Sequence, residues 1–191
     1  MTSMDEDIYN RLDPFLIRKW THAFYVFFDL NRSGALDWQD FEDLIEVIGE
    51  ARGNRSDIFL TAKLCLPDIW HKLCEANGKT TDDQLAVSEW HSMWAKALEE
   101  NSELGWQKCY LDYIFKLLDA SGDKLVDQAE YVQVLGFFGV SEENALKCFD
   151  KFGTSNLNCI DYKRFLQLWN EFFKSVDRNA PGNYLLGMID E

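Results

Sequence analysis

The sequence has little positive charge. Its 19 lysines and arginines face 33 aspartates and glutamates, a net charge of −14. Nucleic-acid binding depends on Lys and Arg neutralising phosphates, so the balance argues against nucleic acid and favours cations. Long apolar runs are missing too: none approaches the roughly 20 residues that cross a bilayer, and no transmembrane segment is expected. The opening Met-Thr-Ser-Met-Asp-Glu-Asp has no apolar signal core, Thr2 replaces the glycine of myristoylation, and Met-Ile-Asp-Glu is no prenylation box. These absences point to a cytoplasmic protein. The five cysteines, an odd number, show no CxxC spacing. Free thiols in a reducing compartment are expected, with Cys65, Cys74, Cys109, Cys148 and Cys159 as packing residues. His71 with Cys74 is too sparse for zinc. His22, His71 and His91 fall in helical stretches without a nucleophile or metal partner at a recognised spacing, so no enzyme is expected.

Apolar and aromatic residues are plentiful. The hydrophobic fraction is 47%, with 14 Phe, 7 Trp and 7 Tyr, and 191 residues can bury one large core or two small ones. Between two apolar helical patterns lies Asp29 to Asp40. Asp29, Asn31, Ser33, Asp37 and Asp40 place side-chain oxygens at the first, third, fifth, ninth and twelfth positions, and Gly34 holds the sixth. Such alternation lets a tight loop deliver six to eight oxygens to a hard dication. Gly34 permits the bend that turns the Ala35 carbonyl inward. This is an EF-hand calcium loop with Asp in place of the usual terminal Glu.

Helices flank it. Asp13-Pro14 reads as an N-cap and first-turn proline, with Phe15, Leu16, Trp20, Ala23, Phe24, Phe27 and Phe28 as an apolar stripe. Phe41, Leu44, Ile45 and Ile48 form the next, ended by Gly53. Ser56 to Cys74 is helical, and Pro67 predicts a kink or two abutting helices. In Gly78 to Glu89, Thr80, Asp82 and Glu89 remain as side-chain ligands and Gln84 takes the seventh, carbonyl place. Gly78 replaces the first Asp, so a carbonyl or a water must fill the gap, and lowered affinity is expected. Gly78-Lys79-Thr80 resembles the end of a phosphate loop, but Leu73 stands where that motif needs glycine. Asn101-Ser102 breaks the chain before a helix from Leu104 to Leu118.

The third loop, Asp119 to Glu130, has oxygens at all five side-chain places: Asp119, Ser121, Asp123, Asp127 and Glu130. Leu125 offers its carbonyl. Lys124 occupies the usual glycine place, at a cost of about 1 kcal/mol in a left-handed conformation. The fourth loop, read as Asp150 to Asp161, has Phe152 at a ligand place. Asp150, Thr154, Asn158 and Asp161 are too weak a set, so it is expected to stay empty and brace the third. The apolar end, Tyr184-Leu185-Leu186 to Ile189, is expected to dock into the protein's own groove.

The eighth places are Leu36, Leu85, Val126 and Leu157, and an aromatic follows each twelfth place: Phe41, Trp90, Tyr131 and Tyr162. One unit thus recurs four times. The expected architecture is compact and all-α: four EF-hand units in two pairs, with short β contacts between paired loops. Residues 1–101 form the first half and 102–191 the second.

This pattern resembles the invertebrate sarcoplasmic calcium-binding proteins and their neuronal relative, calexcitin. The resemblance implies a cytosolic calcium binder in neuronal signalling, with protein targets such as ion channels and an affinity for GTP. The GTP affinity has no counterpart in the residues, which lack a complete phosphate loop and an Asn-Lys-x-Asp motif.

The readings in competition are a calcium sensor, favoured by the resemblance, and a passive calcium and magnesium buffer; a GTP-binding enzyme is the remote third. The chain has 4 methionines, too few for a Met-lined groove opened by calcium. Asp40, shorter than Glu, favours a smaller coordination number, which lets magnesium compete at the first loop. A monomer is expected.

Overall fold

The computed structural model describes residues 11–153 and 158–189. The chain ends discussed above, with Thr2, and the loop residues Thr154 and Leu157 lie outside the described residues.

Helix α1 spans Pro14–Ala23, opened by Asp13, whose carboxylate accepts the Phe15 N–H at 2.8 Å. It runs on as a π-turn, Phe24–Phe28, in which the Asp29 N–H reaches back five residues to the Phe24 carbonyl at 2.8 Å. Helix α2 (Trp38–Arg52) is capped by Asp37 and stops at Gly53, whose φ of 91° ends the helical run. Helix α3 (Asp57–Ala76) starts on the Ser56 hydroxyl. It passes through Pro67 as one helix of 20 residues, so of a kink and two abutting helices the second is excluded. Pro67 has no amide to meet the Lys63 carbonyl, and both residues are exposed to solvent.

Helices α4 (Val87–Glu99), α5 (Gly105–Leu118), α6 (Gln128–Phe137), α7 (Glu142–Phe149) and α8 (Tyr162–Lys174) follow, then a 3-10 turn at Pro181–Tyr184. Strands β1 (Ala35–Leu36) and β2 (Leu85–Ala86) pair antiparallel, with Leu36 opposite Leu85. Strands β3 (Leu125–Asp127) and β4 (Cys159–Asp161) pair likewise, with Val126 opposite Ile160. The fold is all-α: four EF-hand units whose loops join in twos through these short ribbons. Among the described residues no helix is long and apolar enough to cross a membrane.

Two compact units divide the chain, one ending at Tyr110 and the other beginning at Leu111, within α5. The first is built on packed aromatics. Trp90 lies 4.9 Å from Phe28 and 5.4 Å from Trp106, centroid to centroid, and Phe28 stacks on Tyr110 at 4.5 Å. The Trp90 indole donates to the Trp20 carbonyl at 2.9 Å, tying α4 to α1.

In the second unit the chain end folds back onto the protein, as its apolar residues predict. Leu185 and Leu186 are buried, and the Tyr131 hydroxyl lies 3.0 Å from the Tyr184 carbonyl and 2.9 Å from that of Leu185. The Gly182 N–H donates to Glu171 at 2.7 Å. Only glycine fits there, since a Cβ at 182 would meet the Leu168 carbonyl at 2.3 Å.

Candidate metal centres

The first loop wraps around its own leading carboxylate. Asp29 is fully buried at the end of the π-turn and accepts the N–H groups of Ser33 and Gly34, both at 2.9 Å. Gly34 has φ 89°, the left-handed bend expected of the sixth place. Asn31 accepts the Ser33 N–H at 2.8 Å, and the Ser33 hydroxyl donates to the Ala35 carbonyl at 2.7 Å. Asp37 caps α2 through the Gln39 N–H at 2.9 Å, and its other oxygen accepts the Gln84 amide at 3.0 Å. Asp40 is buried. One of its oxygens accepts the Asp37 N–H at 3.0 Å; the other, Oδ1, is buried without a hydrogen-bond partner. Burial foremost pushes the Asp40 carboxyl up to about 6, against the opposing pull of the Asp37 and Asn31 amides, with the charges of Asp29 and Asp37 adding a little.

The third loop is more open. Asp119 accepts the N–H groups of Gly122 and Lys124, at 2.9 and 3.1 Å. Lys124 takes the left-handed bend that its place demands, at φ 70°. Asp123 accepts the Leu125 N–H at 2.9 Å, and Asp127 caps α6 through the Glu130 N–H at 2.8 Å. Glu130 spans the loop: its two oxygens accept the N–H groups of Ser121, at 2.8 Å, and Asp127, at 3.1 Å.

The second loop differs. The Lys79 ammonium lies 2.8 Å from Glu89 Oε1, and Glu89 Oε2 accepts the Ala86 N–H at 2.8 Å. Thr80 donates both its N–H and its hydroxyl to Asp83, each at 2.8 Å. Gln84 turns its side chain to Asp37 of the first loop. Of the residues that sequence reading assigned here, Thr80, Gln84 and Glu89 are engaged within the protein. The left-handed bend sits at Gly78, not at the sixth-place Asp83.

Strand register corrects the frame of the fourth loop. Val126, eighth in its loop, faces Ile160 and not Leu157. Asp161 then caps α8 from the ninth place, as Asp37 and Asp127 cap theirs. Asn158, with φ 52°, holds the sixth place, and the twelfth is Arg164. Its guanidinium donates to the Phe152 carbonyl at 3.0 and 2.6 Å. A cation made by the chain sits where calcium loops carry an acid. The sequence held one signal for this frame: Phe165 supplies the aromatic after the twelfth place. Lys79 and Arg164 are the site residues that sequence reading missed.

In this conformation the loop carboxylates bend onto loop amides. Among the described residues no three His, Cys, Asp or Glu side chains gather as an ion-holding group. The first loop nonetheless fits a hard dication, because Oδ1 of Asp40 is buried without a well-formed hydrogen bond, near the carboxylates of Asp29 and Asp37 and the Asn31 amide. The third loop supplies side-chain oxygens at the same five places, with four carboxylates where the first loop has three.

No protein-family model matches the chain. It is 31% identical to calexcitin-1 of Caenorhabditis elegans over 183 residues, covering 94% of this chain and 89% of that protein. To the sarcoplasmic calcium-binding proteins I, III and IV of Branchiostoma lanceolatum it is 26% identical over 182 residues, covering 92% of this chain and 98% of those proteins. The solved structure of a sarcoplasmic calcium-binding protein from amphioxus matches with a TM-score of 0.76 at 25% identity, covering 93% of this chain and 98% of that one. The chain belongs to the family of calexcitin and the sarcoplasmic calcium-binding proteins.

Proposed function

We propose that the protein binds calcium in its first and third loops and acts as an intracellular sensor, altering a target protein, such as an ion channel, when calcium rises. The ligands are Asp29, Asn31, Ser33, Asp37 and Asp40 with the Ala35 carbonyl, and Asp119, Ser121, Asp123, Asp127 and Glu130 with the Leu125 carbonyl. The observation that carries the reading is the unpartnered buried oxygen of Asp40 beside Asp29 and Asp37. A dication there would supply a partner for that oxygen and, by drawing in Asp29 and Asp37, offset their charges as well. The name of the relatives, sarcoplasmic calcium-binding proteins, supports the calcium-binding part of the reading.

Thr80, Asp82, Gln84 and Glu89 form a weaker site, closed at rest by Lys79, and the fourth loop stays empty because Arg164 fills it. Gly78-Lys79-Thr80 follows helix α3, and Lys79 is held by Glu89, so nothing supports a nucleotide site.

A second reading, the calcium and magnesium buffer, is favoured by the short Asp40 side chain at the twelfth place. Calorimetric titration of metal-stripped protein with calcium, magnesium being present, separates the two. Two sites responding at about 10⁻⁷ to 10⁻⁵ M support the sensor. Sites near 10⁻⁸ M that magnesium competes for support the buffer, and no calcium binding overturns both.

A further inference from the structure

Tyr110 meets the first loop from 83 residues away in sequence. It is buried, and its hydroxyl donates to the Phe27 carbonyl at 3.1 Å. Phe27 belongs to the π-turn that ends at Asp29. The last carbonyls of a helix have no amide ahead of them, so a buried one needs a donor from elsewhere. The Tyr110 ring stacks on Phe28 at 4.5 Å. Tyr110 also lines a small void with Phe27, Phe28, Phe41, Leu44 and Asp40, too small to hold a water. One side chain therefore borders both ends of the loop: the turn that places Asp29, and the wall beside Asp40.

We propose that Tyr110 is a positioning residue of the first cation site, its hydroxyl fixing the Phe27 carbonyl and the π-turn that sets Asp29, its ring walling the void beside Asp40. The assignment rests on reading the first loop as a cation site. Without the hydroxyl, the π-turn that sets Asp29 loses this tie to helix α5 and holds its backbone less firmly.

The test uses the full-length, metal-stripped protein carrying Glu130→Gln, so that the third loop is silent. Calcium and magnesium are titrated separately into this parent and into parents that also carry Tyr110→Phe, Trp106→Phe or Asp29→Asn. Tyr110→Phe keeps the ring and its stack. Trp106 is buried in the same aromatic cluster but its indole N–H has no hydrogen-bond partner, so Trp106→Phe reports general loosening. Tyr110→Phe is expected to bind calcium about tenfold more weakly, with Trp106→Phe within twofold of the parent. In the metal-free state the Asp29 amide of Tyr110→Phe should exchange its hydrogen about tenfold faster, while third-loop amides keep their rates. Unchanged affinity in Tyr110→Phe, or equal weakening in Trp106→Phe, overturns the assignment alone. A parent whose calcium binding Asp29→Asn leaves intact overturns the first-loop reading, and this assignment with it.

Discussion

At the scale of the residue, the two best loops are written plainly in the sequence, because oxygen ligands must fall at fixed intervals along a tight turn. Glu130 tests this most directly. Glu130→Gln should remove third-loop calcium binding and leave the first loop as it was, read as a loss of one site in calorimetry. The cysteines make a separate residue-scale prediction. All five are free. Cys65 and Cys109 are half-buried, whereas burial pushes the thiol of Cys74 up to about 11 and that of Cys148 up to about 12. A raised thiol pKa leaves little nucleophilic thiolate at pH 8, roughly one part in a thousand at Cys74. Iodoacetamide should therefore modify Cys65 and Cys109 well before Cys74 and Cys148 in the folded protein, and all five in denaturant. Mass spectrometry of timed samples checks it, and fast labelling of Cys148 would show that its burial is misjudged. What the sequence did not disclose were residues whose role comes from three-dimensional neighbours. Lys79 reads only as part of an incomplete phosphate-loop pattern until its ammonium is seen on Glu89.

At the scale of the element, a helix start was legible where a short polar side chain preceded an apolar stripe, as at Asp13. Pro67 left a kink and two abutting helices both open, because sequence alone does not say on which side of a helix a lost hydrogen bond will fall. The fourth loop misled because its twelfth-place acid is gone, so no ligand pattern fixed the frame, and Phe165 alone spoke for the one that strand pairing shows. Two predictions belong here. Lys79→Gln frees Glu89 and removes a positive charge from the second loop. Its calcium affinity should rise about fivefold, matching the roughly 1 kcal/mol scale of a partly exposed ion pair. A third calorimetric site, or a stronger one, is the expected readout; an unchanged isotherm would mean that Lys79 does not close the loop. Tyr131→Phe removes the one O–H that the Tyr184 and Leu185 carbonyls share and should cost about 1–2 kcal/mol in urea unfolding. Proteolysis should reach the tail of that variant first.

At the scale of the whole molecule, the net charge of −14 opposes folding by self-repulsion and attracts dications. Salt screens both effects over a Debye length of about 10 Å at 0.1 M. Raising sodium chloride should raise the melting temperature of the metal-free protein while weakening calcium binding severalfold. Scanning calorimetry and titration at two salt concentrations check the pair, and movement in the same direction would count against electrostatics as the common cause.

Helix α5 carries a consequence for how this chain can be divided. Its first residues, Trp106 and Tyr110, complete the aromatic core that Phe28 and Trp90 begin, and its last residues lead straight into Asp119. A cut at Asn101, where the sequence offers its easiest break, would strip the leading fragment of two core rings. The EF-hand pairs are then not interchangeable cassettes. Recombination at that point would pass on a half without its keystone, and any tolerated shuffling between relatives must carry α5 along with the half that precedes it.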